Sequence, residues 1–110
     1  MKLLTQAIRS KLPSLGSTDA LPHDRLVARA KFFTPDSSWT WYALEFDGQD
    51  TFFGLVSGFE VEMGYFSLSE LESVRGPLGL PIERDRWFEP APLARLPEYP
   101  RWAGAREVAA

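Results

Sequence analysis

Few side chains in this sequence could perform acid–base or nucleophilic chemistry. The chain of 110 residues has no cysteine and one histidine, His23. The lack of cysteine excludes thiolate nucleophiles, disulfides and cysteine zinc sites. His23 stands between Pro22 and Asp24 in a polar stretch, which is more typical of an exposed loop residue than of a general base. A metal would have to be held almost wholly by carboxylates, and we expect neither a metal nor a cofactor.

A pair of carboxylates could act as acid and base or hold a divalent cation. Glu45 and Glu62 are predicted to share one face of a sheet, on strands separated by a third strand. At ~3.3 Å per residue along a strand and ~4.8 Å between strands, their backbones would be more than ~10 Å apart. The run Glu83-Arg84-Asp85-Arg86 is more typical of a solvated, self-paired cluster, and no phosphate-binding loop or nucleophile-elbow motif is present. A small hydrolase with a carboxylate site is therefore the least supported function.

The charge balance limits the kinds of partner. Lys and Arg number 12 and Asp and Glu number 15, which gives a net charge of −3 and argues against a duplex-DNA binder that neutralises phosphates. A single strand could stack its bases on Trp39 or Trp41, but acidic residues share that neighbourhood, and we rank this alternative second. No apolar run reaches the length of a signal peptide or a membrane span, so we expect a cytoplasmic protein without a membrane partner.

The elements that would position these residues begin with a helix. Leu4, Ile8 and Leu12 recur at helical spacing, and Pro13 ends the pattern. We expect an amphipathic helix over residues 3–12, followed by a loop that is rich in turn-forming residues.

The middle of the chain predicts four antiparallel strands. Residues 26–32 alternate apolar and polar side chains, and three segments rich in aromatic and β-forming residues follow, separated by short turns. Those segments are residues 39–46, 51–57 and 61–66. Capping-box patterns then predict a short helix that begins at Ser67 or Ser69 and ends near Arg75.

The C-terminal third contains few signals of regular structure. Residues 76–81, Gly-Pro-Leu-Gly-Leu-Pro, predict a rigid loop anchored by Leu78, Leu80 and Ile82. Residues 89–101 contain four prolines, too many for a regular element apart from one turn at 93–96.

The sequence therefore predicts an α+β fold. Its parts are a four-stranded antiparallel meander, an N-terminal helix, a short helix after the fourth strand and a Pro-rich C-terminal segment. We expect one domain over residues 1–102 and a flexible tail over residues 103–110.

The turns of the meander set its register. A two-residue loop at Gly48-Gln49 would place Tyr42 opposite Leu55, and a three-residue loop at 58–60 would place Leu55 opposite Met63. A two-residue loop at the second turn would instead point a glutamate at the core. The predicted core on this face consists of Tyr42, Leu44, Phe53, Leu55, Met63 and Tyr65, with Leu44 opposite Phe53.

The other face of the meander is also largely apolar. Ala43, Gly54 and Gly64 form a row of small residues across it, which predicts a shallow trough. The N-terminal helix could fill the trough, which is the more usual arrangement, or the trough could bind a peptide, a base or a small ligand. The other residues predicted on this face are Trp39, Trp41, Glu45, Phe52, Val56, Glu62 and Phe66.

Several motifs occur in order along nearly the whole chain. They are Lys31-Phe-Phe-Thr-Pro35, Ser38-Trp-Thr-Trp-Tyr42, Phe52-Phe-Gly-Leu-Val56, and Gly64-Tyr-Phe-Ser-Leu-Ser-Glu-Leu71 followed by Arg75-Gly-Pro-Leu-Gly-Leu-Pro-Ile-Glu-Arg-Asp85. With these motifs the chain resembles the family catalogued as domain of unknown function 2958. Members of that family occur mainly in bacterial genomes, plasmids, integrating elements and phages, often near DNA-processing or anti-restriction genes. The resemblance implies a role in such systems and no particular chemistry.

The surface that we expect to bind is an exposed rim beside the sheet. Aromatic residues and arginines dominate binding hot spots, and sites usually lie on loops beside a rigid scaffold. The sequence therefore favours a non-catalytic accessory module that binds another protein. The candidate residues are Trp39 and Trp41, Asp36 in the turn at 34–38, and Arg84, Arg86 and Trp87.

Overall fold

The protein is built around an antiparallel sheet. The computed structural model describes the backbone of residues 2–109 and the side chains of residues 2–104. The strands are β1 (Val27–Ala28), β2 (Ala30–Phe33), β3 (Thr40–Phe46), β4 (Thr51–Ser57), β5 (Val61–Ser67), β6 (Glu83–Arg84) and β7 (Ala91–Pro92). Within the described residues, the main sheet has the order β5-β4-β3-β2-β6, and β1 pairs with β7 in a second, two-stranded sheet. The α+β class and the antiparallel meander are confirmed.

The predicted count of four strands is wrong, because β6 adds a fifth strand to the main sheet. β6 pairs with β2, so that Phe32 lies opposite Arg84 and Phe33 lies opposite Glu83. A strand of two charged residues has neither alternation nor β-forming side chains, so its sequence gives no signal.

The helices are α1 (Gln6–Arg9), α2 (Leu68–Ser73) and α3 (Tyr99–Ala109), with single 3-10 turns at His23–Arg25 and Leu93–Arg95. α2 begins as predicted, because the Ser67 hydroxyl accepts a hydrogen bond from the N–H of Glu70 at 3.0 Å.

The helix α3 corrects the expectation that residues 89–101 contain one turn and nothing else regular. The turn at 93–96 is present as a 3-10 turn, but α3 then begins at Tyr99 and continues to Ala109. Pro100 lies in its first turn, where a proline removes no helical hydrogen bond. Trp102, in the first part of this helix, is buried.

Most of the predicted register of the meander is confirmed. Tyr42 pairs with Leu55, Leu55 pairs with Met63, and Phe53 pairs with Tyr65. The three-residue loop at 58–60 is therefore correct.

A β-bulge in β3 changes the register at its C-terminal end. The pairing slips between Ala43 and Glu45, so that Glu45 rather than Leu44 lies opposite Phe53. The extra residue moves the side chains that follow it to the opposite face. Glu45 therefore leaves the trough face, where it was predicted, and Phe46 packs there instead.

The first face of the sheet is covered by residues near β1 and by the C-terminal part of the chain. Leu26, Ala28, Leu93, Leu96 and Trp102 belong to the same buried cluster as the predicted core residues Tyr42, Leu44 and Leu55. Phe53 and Met63 are only partly buried. Tyr65 is 71% exposed, so its predicted place in the core is wrong; it lies on the edge strand β5, beyond the covering residues.

The trough face is covered by the N-terminal segment. Leu3 and Leu4 belong to one buried cluster with Trp41, Ala43, Phe46, Phe52 and Phe66. The trough is thus filled over the centre of the sheet, whereas an added Cβ at Gly64 on the edge strand would meet no atom within 4 Å.

The segment that fills the trough is less helical than predicted. Thr5 caps α1 by accepting a hydrogen bond from the N–H of Ile8 at 3.2 Å, so Leu3 and Leu4 precede the helix. The Arg9 guanidinium donates to the Gly48 carbonyl at 2.6 Å, which ties this segment to the β3–β4 turn.

The predicted strand over residues 26–32 is divided at Arg29 into β1 and β2. Ala28 packs in the cluster on one face of the main sheet, whereas Ala30 packs in the cluster on the other. The apolar residues of this stretch are buried, as the alternation indicates, but they pack in two separate hydrophobic clusters on opposite faces of the sheet.

Candidate binding surface

An open groove of about 520 Å³ lies at the β2–β6 edge of the main sheet, between the turn at 34–38 and the segment at 83–87. We call it the tryptophan groove, because Trp39 and Trp87 line it. The other lining residues are Lys31, Phe33, Thr34, Ser37, Ser38, Thr40, Glu83, Arg84, Asp85 and Arg86.

The first wall of the groove is fixed by the β2–β3 turn and by the ring of Trp39. The N–H of Thr34 donates to the Trp39 carbonyl at 3.0 Å, and the N–H of Trp39 donates to the Thr34 hydroxyl at 3.0 Å. The Trp39 ring stacks on Trp41 at 5.8 Å and meets the edge of Phe59 at 5.3 Å. Any side chain at Gly58 would collide with the Trp39 ring, so the ring lies directly against the Gly58 backbone.

The second wall is a segment bound along the edge of β2. The N–H of Asp85 donates to the Lys31 carbonyl at 2.9 Å, and the two side chains form an ion pair at 3.8 Å. The backbone N–H of Trp87 donates to the Asp85 carboxylate at 2.9 Å. Phe88 turns inward against Tyr42, with ring centroids 5.7 Å apart. Trp87 is thereby left 88% exposed.

Trp41 does not belong to the exposed rim in which the sequence placed it. It is 9% exposed and packs in the cluster on the trough face. The assignment of Trp39 and Trp41 to one face is correct, because Trp39 packs against the same cluster. Trp39, however, precedes β3 and is only half-buried, whereas Trp41 lies within the strand.

Asp36 is close to the groove but supports a neighbouring loop. Its carboxylate accepts hydrogen bonds from the N–H groups of Leu78 at 2.8 Å and Leu80 at 3.4 Å. Both leucines are exposed, and of the three predicted anchors only Ile82 is buried. The loop at 76–81 is therefore held by the Asp36 carboxylate rather than by leucine side chains.

The two arginines of the candidate set differ in their roles. The Arg84 guanidinium donates to the backbone carbonyls of Lys2 and of Leu3, the latter at 3.1 Å, and so fixes the start of the N-terminal segment. Arg86 is exposed at the rim. Arg86 and Trp87 are thus the accessible members of the segment at 83–87.

Glu45 and Glu62 do not form a pair, because the bulge places them on opposite faces of the sheet. Glu45 is 2% exposed and accepts hydrogen bonds from the N–H and hydroxyl of Thr18 and from the N–H of Gly16. Glu62 is exposed and lies opposite Val56 on the trough face, which is the other side of the sheet from Glu45. Among the described residues, no group of three or more His, Asp or Glu side chains could hold a metal. His23 is exposed and meets the edge of the Trp102 ring at 5.0 Å.

A buried tyrosine links the sheet to the C-terminal layer. The Tyr42 hydroxyl donates to the Glu98 carboxylate at 2.8 Å. Burial raises the pKa of Tyr42 well above its ordinary value, and the hydrogen bond and negative charge of Glu98 act in the same direction. Tyr42 therefore stays neutral and serves as a hydrogen-bond donor.

Sequence reasoning missed a second cavity, of about 290 Å³, lined by Lys11, Arg29, Arg84 and Arg86 among others. We call it the basic pocket. Lys11 is far from the other three residues in the sequence, and only the path of the N-terminal segment across the sheet brings it to them. No local pattern could have revealed this pocket.

These features define a small α+β domain whose antiparallel sheet is covered on both faces and bears an open aromatic groove at one edge. The chain belongs to the DUF2958 family, described as a protein of unknown function, whose model matches residues 3–108. No curated protein and no solved structure matches the chain. Over residues 2–109, no helix is long and apolar enough to cross a membrane.

Proposed function

We propose that this protein is a non-catalytic accessory module that binds another protein through the tryptophan groove. The observation that carries the proposal is Trp87, which is 88% exposed on the wall of a groove that Trp39 also lines. Covering exposed apolar area of this kind removes it from water, which contributes favourably to the free energy of binding a partner. Trp and Arg are also the residue types that most often dominate the binding energy of protein interfaces.

The charges around the groove indicate the kind of partner segment. Lys31 and Asp85 already neutralise each other in an ion pair, whereas Arg86 is exposed at the rim. A segment with an apolar side chain against the tryptophans and a carboxylate within reach of Arg86 would complement this surface. The family resemblance supports placing that partner in a mobile-element or DNA-processing system.

The experiment is affinity capture from the native host, with identification by mass spectrometry and then titration of the partner. We expect Trp87→Ala to weaken binding roughly tenfold or more, because a hot-spot side chain contributes about 2 kcal/mol or more and 1.4 kcal/mol is a factor of ten. Its melting temperature should stay close to that of the unchanged protein, since the side chain is exposed. Leu78→Ala is the matched control, because Leu78 is an exposed apolar residue that does not line the groove.

Trp41→Ala provides the contrast of a buried tryptophan. This variant should lose about 3–5 kcal/mol of stability, as large-to-small changes in cores do, and reduced capture by it would report unfolding. A folded Trp87→Ala protein that captures the partner as strongly as the Leu78→Ala protein would refute the proposal.

A further inference from the structure

The basic pocket concentrates positive charge in an acidic protein. Four cationic side chains line it, those of Lys11, Arg29, Arg84 and Arg86, although the net charge of the chain is −3. Asp85 also contributes to the lining, but its carboxylate is already engaged by Lys31 at 3.8 Å and by the backbone N–H of Trp87. The pocket therefore has an excess of positive charge.

Arg29 supplies a donor that no group in the described structure satisfies. Its Nε is buried and has no hydrogen-bond partner among the described residues. Its backbone is fixed at the break between β1 and β2, where its N–H donates to the Ala43 carbonyl at 2.8 Å. A buried donor without an acceptor is unfavourable, and the Arg29 side chain that carries this donor lines the basic pocket.

We infer that the basic pocket binds the phosphate group of a nucleotide. A guanidinium matches phosphate oxygens with two parallel hydrogen bonds, and Lys11 and Arg86 add charge from flexible, exposed side chains. The rest of the lining includes the apolar residues Ile8, Phe88 and Pro90, which offer a surface for a base or sugar. A free nucleotide and a single strand share this phosphate chemistry.

The test titrates the full chain with three probes: inorganic phosphate, deoxythymidine monophosphate and a twelve-residue oligothymidylate. We expect the nucleotide or the oligonucleotide to bind, and Arg29→Gln and Arg86→Gln each to weaken that binding about tenfold. Arg95→Gln is the matched control, because it removes the same charge at an exposed position outside the pocket. In an NMR titration, the Arg29 Nε–H resonance should shift on addition of the nucleotide.

The probes also separate the two sources of phosphate. Comparable affinity for nucleotide and oligonucleotide would indicate a free nucleotide, whereas much tighter oligonucleotide binding would indicate a strand. If the ligand is a single-stranded nucleic acid, a plot of log affinity against log salt concentration should have a negative slope. Each phosphate contact that a substitution removes should make that slope shallower by about 0.7.

Binding of neither nucleotide probe would overturn the inference, as would equal affinity in the Arg86→Gln and Arg95→Gln proteins. Preference for a phosphoserine peptide over both nucleotide probes would overturn it as well. Arg86 is exposed, so its variant remains informative if Arg29→Gln fails to fold. Trp87 does not line the basic pocket and Arg29 does not line the tryptophan groove, so failure of this inference and failure of the proposed function are distinguishable.

Discussion

Replacement of Glu45 tests whether the bulge in β3 organises the loop that follows the N-terminal segment. One carboxylate oxygen accepts a hydrogen bond from the N–H of Gly16 at 2.8 Å, and the other accepts from the N–H of Thr18 at 3.1 Å and from the Thr18 hydroxyl. Glu45→Gln keeps the size of the side chain. The amide oxygen can still accept from Gly16, and the Thr18 hydroxyl can turn to accept from the amide group. The N–H of Thr18, however, then faces a donor and loses its acceptor.

The expected cost follows from that single lost acceptor. Leaving a buried donor unsatisfied costs about 1–3 kcal/mol. Because the Thr18 N–H is only partly buried, Glu45→Gln should lose an unfolding free energy at the lower end of that range, about 1 kcal/mol. Glu45→Ala removes all three hydrogen bonds and should cost more, roughly 3 kcal/mol or above. Each 1 kcal/mol corresponds to a fall in melting temperature of roughly 4–8 °C for a domain of about 100 residues.

The assay is urea unfolding followed by tryptophan fluorescence, with the slope against denaturant checked for constancy. Glu62→Gln serves as the control, because it makes the same chemical change at an exposed glutamate, and it should alter stability by about 0.5 kcal/mol or less. If Glu45→Gln and Glu62→Gln unfold at the same urea midpoint, the carboxylate does not hold the loop and the role assigned to the bulge is wrong.

Two further substitutions test the hydrogen bonds that Ser67 and Asp47 accept from the backbone. Ser67→Ala removes the cap of α2 and should cost about 0.5–2 kcal/mol in the same urea assay; a cost no larger than that of Glu62→Gln would contradict the cap. Asp47 accepts backbone hydrogen bonds from Gln49, Asp50 and Thr51, which lower its pKa below the ordinary value of an aspartate. Because the folded-state pKa is lowered, its contribution to stability is present above about pH 4 and is lost as the pH falls through the folded-state pKa. Asp47→Ala should therefore lose stability less steeply than the unchanged protein below pH 4, and identical acid unfolding curves would refute this assignment.

The sequence predicted the centre of the sheet because each strand there carries its own signal. Strong β-forming runs and a three-residue loop at 58–60 set the pairing of Leu55 with Met63. The bulge at Leu44 gave no such signal, because Leu44 and Phe46 are both apolar and each can be buried on either face. A bulge is set by the tertiary packing of both faces, which alternation alone does not encode.

The C-terminal helix was missed for a different reason. A count of prolines assumes that each one disrupts a helix wherever it lies. Pro100, however, lies in the first turn of α3, where a proline removes no helical hydrogen bond. Trp102 was the available clue, since a large apolar residue beyond a proline-rich stretch needs a place to be buried. Four of the candidate residues, Trp39, Arg84, Arg86 and Trp87, line one groove. The sequence could not predict that Trp39 is half-buried at the rim whereas Trp41 is buried.

Both proposed binding surfaces are lined by residues of the segment at 83–88. The N-terminal segment covers one face of the sheet and the C-terminal layer covers the other, and the segment at 83–88 runs along the β2 edge between them. Arg84 holds the N-terminal segment through the Lys2 and Leu3 carbonyls, and Phe88 packs against Tyr42. Substitution of either residue would disturb the fold, and any loss of binding would be ambiguous. Arg86 and Trp87, which are exposed, are the positions of this segment at which loss of binding can be read separately from loss of structure.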